Sequence, residues 1–149
     1  MTPAPGSAAR TNTGAGRALV AVYGVFALAA TARASVQLAT RFAEAPLAYL
    51  LSAVAGVIYI VATVTLARGS RTSRRVAWVA ITLELVGVLT VGTLSLVEPA
   101  AFPRATVWSA YGIGYGFVPL VLPVLGLVWL ARTRPAPLTP AGRRSPDGA

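Results

Sequence analysis

Four carboxylates stand in this 149-residue chain, Glu44, Glu84, Glu98 and Asp147, and Glu84 alone sits inside an apolar run, at 76–97. A carboxylate at mid-bilayer depth costs about 2.5–3.5 kcal/mol on insertion scales, so it turns toward a bundle interior and finds a partner or a proton. Two roles fit it: a hydrogen-bonded packing residue tying two helices together, and an intramembrane acid–base or cation site. Arg33 is the other ionisable group well inside an apolar run. Neutralising each other would lower the cost of both. Their expected offset of ~9 Å along the membrane normal asks for an extended Arg33, a helix tilt or a bridging water. Gln37, Arg41 and Glu44 follow Arg33 at spacings of four, four and three, which puts all four on one helix face. Such a stripe either faces other helices or an outer, water-filled vestibule, or divides into a snorkelling Arg33, an interhelical Gln37 and interfacial Arg41 and Glu44.

Beyond these groups the chain offers little chemistry. It has no Cys and no His, and all 13 basic residues are arginine. Disulfides, Cys or His metal sites, His-based triads and Lys Schiff bases are excluded together. No cofactor or metal is expected, and no enzyme; an enzyme acting on lipid would have Glu84 as its only buried acid or base. The net charge of +9 would suit nucleic acid if it formed a patch. The arginines instead gather at the ends of apolar runs and in the tails, where they set topology and meet anionic lipid head groups, so no nucleic-acid partner is expected.

The elements that must position Glu84 follow from hydropathy. With 56% hydrophobic and 11% charged residues and a mean hydropathy of +0.69, the chain has the balance of a membrane protein. The predicted fold is all-α, a four-transmembrane-helix bundle. Residues 1–16 read as a disordered arm, 17–132 as the membrane domain with spans at about 18–40, 47–67, 76–97 and 106–131, and 133–149 as a disordered Pro/Arg-rich tail. Eight of the 17 residues at 18–34 are Ala or Gly, which lets the first helix approach its neighbours closely. Arg17, the apolar stretch after it and Ala30-Thr31-Ala32 also resemble a cleavable signal peptide; apolar residues resume at Val36 and Leu38 and favour a retained span. Ser52 and Gly56 form a small-residue contact face in the second span, and Glu98-Pro99 stops the third.

The fourth span carries Gly112, Gly114 and Gly116, then Pro119 and Pro123. Trp108 and Trp129 are 21 residues apart, or ~31 Å at 1.5 Å per residue, the separation of the two interfacial belts. One continuous but kinked helix is therefore expected, with Gly112 and Gly116 as a packing face and Pro119 and Pro123 as the flexing point. The string IGYGF at 113–117, after FPRATVWS at 102–109, resembles a potassium-channel filter. Tyr111 and Gly112 stand where threonines are expected and Phe117 replaces the usual Asp. If Tyr115 lay in a filter, the residues left before Arg132 would be too few to cross back, so a channel is not expected.

Topology follows from the arginines. Arg10, Arg17, Arg68, Arg71, Arg74, Arg75, Arg132, Arg134, Arg143 and Arg144 fall on one side, Arg41 and Arg104 on the other, so both termini are expected in the cytoplasm. Each half of the chain runs basic residue, span, Glu with Pro, span and Leu-Ala-Arg; ordinary positive-inside hairpins produce much of this echo, and a parallel duplication is the alternative. The strings AVYGVF (21–26), EAPLAYL (44–50), ELVGVL (84–89) and GYGFVPL (114–120) make residues 17–132 similar to a group of small four-span integral membrane proteins of actinobacteria that carry no assigned function. The resemblance implies a bacterial plasma membrane and no residue role. Short loops, scarce charge and small-residue faces point to a structural or accessory subunit in the lipid bilayer that packs against another membrane protein or itself. The alternative is a small proton- or ion-coupled transporter using Glu84, with Arg33 and Gln37 lining an outer vestibule.

Overall fold

The computed structural model describes residues 7–133, with side chains from Gly14 onward. Among the described residues the chain is helical, without strands. Three helices are long and apolar enough to cross a membrane, and a fourth crossing results if a bent pair at 109–132 counts as one span.

Helix α1 (Ser7–Thr40) starts inside the segment expected to be a disordered arm. Ala8, Ala9, Arg10 and Ala15 are strong helix formers, and the first polar turns simply continue the apolar helix toward its N-terminus. The backbone runs unbroken through Ala30, Thr31 and Ala32. Residues 1–6 and 134–149, the rest of the two expected tails, lie outside the described residues. A short 3₁₀ turn, Phe42–Glu44, leads to α2 (Pro46–Arg68). Pro46 sits in the first turn, where its missing N–H costs nothing, and Gly69 closes the helix at φ 64°. Helix α3 (Arg71–Val97) is capped by Ser70, whose hydroxyl accepts the Ser73 N–H at 3.1 Å.

The fourth segment is not the continuous helix that its composition suggests. Residues 109–115 form a 3₁₀ stretch that meets α4 (Val118–Arg132) at 99°. Five residues at the break are left-handed: Ala110 (φ 46°), Tyr111 (60°), Gly112 (80°), Gly116 (63°) and Phe117 (61°). Left-handed backbone costs a non-glycine residue ~1–2 kcal/mol, so packing must hold this turn. Helix α4 has 15 residues, about 22 Å, and falls short of a ~30 Å hydrocarbon core by itself. Pro119 lies in its first turn and bends nothing; only Pro123 is interior.

Successive helices pack on one another, α1 on α2, α2 on α3 and α3 on α4, while α4 touches α1 only thinly. On α1 the buried stripe is Leu19, Tyr23, Ala27, Ala30 and Ala34; on α3 it is Ala77, Ala80, Ile81, Glu84, Val88 and Val91. Spacings of three and four make each a single helix face, and the opposite faces expose Val25, Leu28, Val79 and Leu83, as suits contact with lipid. Ser52 and Gly56 are buried, and a Cβ at Gly56 would come within 3.1 Å of the Thr31 hydroxyl, so α1 and α2 cross closely there. At one end Arg74 donates to the Leu130 carbonyl at 2.7 Å and to Thr133 at 3.3 Å, fastening the start of α3 to the last turn of α4. At the other end Arg104 pairs with Glu44 at 3.4 Å across exposed loops.

Candidate functional site

Glu84 is completely buried at the centre of the inward face of α3. Its partner is Tyr23 of α1, whose hydroxyl donates to Oε2 at 2.8 Å. Tyr59 of α2, also completely buried, stands beside Tyr23 with ring centroids 6.3 Å apart. The three helices therefore each contribute one polar group to the same interior, because each carries it on its buried stripe.

The broken segment supplies the fourth. Trp108 is only 3% exposed and lies flat on α3 at Gly87, where an added Cβ would meet the indole at 2.7 Å. Gly87 is one turn from Glu84, so Trp108 sits near mid-bundle depth and not in an interfacial belt, contrary to what its spacing from Trp129 suggests. Its indole N–H approaches the Tyr59 hydroxyl without completing a hydrogen bond. Glu84 Oε1, Tyr59 Oη and Trp108 Nε1 are thus buried polar atoms without partners in this interior. Native proteins satisfy nearly all such atoms, and doubly so in a bilayer, where each unpaired group costs several kcal/mol.

Toward the arginine-poor end, Phe26 bridges from Tyr59 (5.8 Å, edge-on) to Tyr115 (6.0 Å, edge-on). The Arg33 guanidinium donates to the Tyr115 hydroxyl and lies 6.0 Å from the centre of its ring. Arg33 and Glu84 do not pair: Arg33 lies ten residues beyond Tyr23 on α1, about 15 Å along the axis, and each has a closer partner. Gln37 is half-buried with its carbonyl oxygen unpaired, Arg41 is exposed, and Glu44 faces Arg104.

Gly112 and Gly116 do not form a helix-packing face, since both occupy the left-handed turn. Gly112 is there because an added Cβ would strike the Pro119 ring at 2.7 Å as well as oppose φ 80°. Pro119 is buried against it at the head of α4, and Pro123 is buried one turn further on. The glycines that do admit close contacts to the broken segment are Gly87, under Trp108, and Gly92, where a Cβ would come within 2.5 Å of the Tyr111 ring.

Chemically, the arrangement is one carboxyl, two phenols and an indole N–H in an apolar enclosure. It can hold, pass or exchange a proton, or present oxygens to a small cation. Among the described residues no three His, Cys, Asp or Glu side chains gather as metal ligands. Sequence reasoning identified Glu84 and missed Tyr23, Tyr59, Trp108 and Tyr115; the signal was the presence of tyrosines at mid-span, where a hydroxyl needs a partner. Comparison with models of known families, with curated proteins and with solved structures gives no match.

Proposed function

We propose that this chain crosses a bacterial plasma membrane four times, residues 106–132 making the broken fourth crossing, with both termini in the cytoplasm. The proposed activity is exchange of protons or a small cation at a site centred on Glu84. The orientation rests on ten arginines on one side against two on the other. The location draws on the resemblance to small four-span actinobacterial membrane proteins. The activity rests on one observation: Glu84 Oε1, Tyr59 Oη and Trp108 Nε1 lie buried and unpaired in one interior, roofed by non-helical backbone. Irregular backbone at membrane depth occurs where protein or a cavity shields it, and the binding sites of transporters are built at such breaks.

The test is flux of protons and of monovalent cations into liposomes carrying the purified chain. Glu84→Gln should abolish flux while leaving the thermal unfolding profile cooperative; flux that survives in this variant refutes the activity. A second reading, a structural or accessory subunit packed against another membrane protein or itself, is favoured by the closure around Glu84, because a carboxyl shut in by Tyr23 can serve simply to join α1 and α3. A stoichiometric partner in native mass spectrometry, with no flux from the isolated chain, supports that reading instead.

A further inference from the structure

The thin contact between α1 and α4 leaves a groove of about 720 Å³ between them. Ala18 and Val22 of α1 and Val121, Leu125 and Val128 of α4 form its apolar walls. At one end the lining changes to Trp129, Arg132 and Thr133. Trp129 rests on Gly16, and its indole N–H has no hydrogen-bond partner. Arg132 is exposed, and Arg74 reaches the same turn of α4. The groove follows α4 for its whole length, about 22 Å, more than the ~15 Å of one leaflet's hydrocarbon.

We propose that this groove is a binding site for one anionic phospholipid of the cytoplasmic leaflet. Its acyl chain would lie along Val121 and Leu125, and its phosphate would meet Arg132 and Thr133. Apolar walls that end at Arg132, with Arg74 bonded to the neighbouring Thr133, match a lipid's tail and charged head in order and in sign, and basic pockets between transmembrane helices select such head groups. A second copy of the chain fits less well, because every helix end at that level carries arginine and would meet this one with like charge. The inference is independent of any role for Glu84 and rests on the orientation alone.

Photolabelling tests it with the unmodified chain. The protein is placed in vesicles doped with phosphatidylglycerol bearing a diazirine on its acyl chain, and in parallel with the phosphatidylcholine analogue, and labelled peptides are mapped by mass spectrometry. Labels should concentrate on residues 118–128 and 15–22, with phosphatidylglycerol favoured about five-fold or more. Arg132→Gln should remove most of that preference while labelling of the groove persists, and Ala18→Trp should fill the groove and deplete its labels. Even labelling of all outward faces overturns the proposal, as does equal labelling by the two lipids. A homodimer in native mass spectra cross-linked through α4 gives the groove to a second copy and overturns it as well.

Discussion

Replacing Tyr23 with phenylalanine removes one hydroxyl and keeps the ring that packs on Tyr59. What is lost is the 2.8 Å bond to Glu84, leaving both carboxyl oxygens unpaired in an interior with no exposure. A stranded buried acceptor costs about 1–3 kcal/mol. Interhelical hydrogen bonds in membranes average nearer ~0.6 and reach ~1.7 kcal/mol, since the unfolded helices also find partners in the bilayer. The expected loss for Tyr23→Phe is therefore about 1–2 kcal/mol. Glu84→Leu should cost a similar amount by stranding the phenol. The double variant strands neither, so it should be about as stable as the parent, and the cycle should show a coupling of ~2–4 kcal/mol, the sum of the two single losses. Equilibrium unfolding in mixed micelles of increasing sodium dodecyl sulfate fraction, followed by tryptophan fluorescence, gives all four stabilities. The same cycle on Arg33→Ala with Glu84→Leu should be additive within ~0.5 kcal/mol, because some 15 Å of helix separates Arg33 from the site. Additive losses for Tyr23 and Glu84, or stronger coupling of Glu84 to Arg33, would refute the geometry on which the site rests.

Two further outcomes test the surrounding frame. Gly112→Ala meets both a φ of 80° and the Pro119 ring, and should cost about 2–4 kcal/mol, while Gly114→Ala, with nothing within 4 Å, should cost under ~1 kcal/mol; thermal unfolding of the two in mild detergent gives the comparison. Arg74→Ala removes two bonds to the last turn of α4 and should destabilise by about 1–2 kcal/mol, whereas Glu44→Gln breaks an exposed pair with Arg104, keeps an amide oxygen for the long 3.4 Å bond from Tyr49, and should shift stability by less than ~0.5 kcal/mol in the same assay.

The first three helices were legible because their signals agree: long apolar runs, Pro46 at a first turn, Gly69 and Ser70 between α2 and α3, and Glu98-Pro99 at the far end. The fourth was not, because glycine and proline in an apolar stretch serve a kinked helix and a broken one equally well. Nothing in the local sequence announces that Ala110, Tyr111 and Phe117 turn left-handed; of the three, Tyr111 is held by its contact with Gly92 of α3. Within the site, Glu84 stood out as a lone acid among apolar neighbours. Tyr23, Tyr59 and Trp108 did not, since aromatic residues in a span read first as packing, and the even spacing of Trp108 and Trp129 pointed to belts that only position in the fold could correct. Opposite charge makes Glu84 a candidate partner for Arg33, but a phenol at its own end of the bundle lies nearer.

The break and the carboxyl belong to one construction. Gly87 and Gly92 stand three and eight residues beyond Glu84 on α3, and each admits a ring of the broken segment. Trp108 packs on the first and Tyr111 on the second, and the Ser95 hydroxyl accepts the Ala110 N–H at 2.8 Å. These contacts offset the cost of the left-handed turn that follows. Helices α1, α2 and α3 keep their backbone bonds as they pass Glu84, so they are stiff walls. Residues 106–117 lie beyond Glu84, against Gly87 to Ser95, held by side-chain packing and a few hydroxyl bonds, such as Thr106 with Ser109, and so form the least regularly bonded wall of the interior. In the proposed activity, a proton or cation coming to Glu84 from the arginine-poor end would have to pass where Trp108 lies on Gly87, beneath the Arg33–Tyr115 contact.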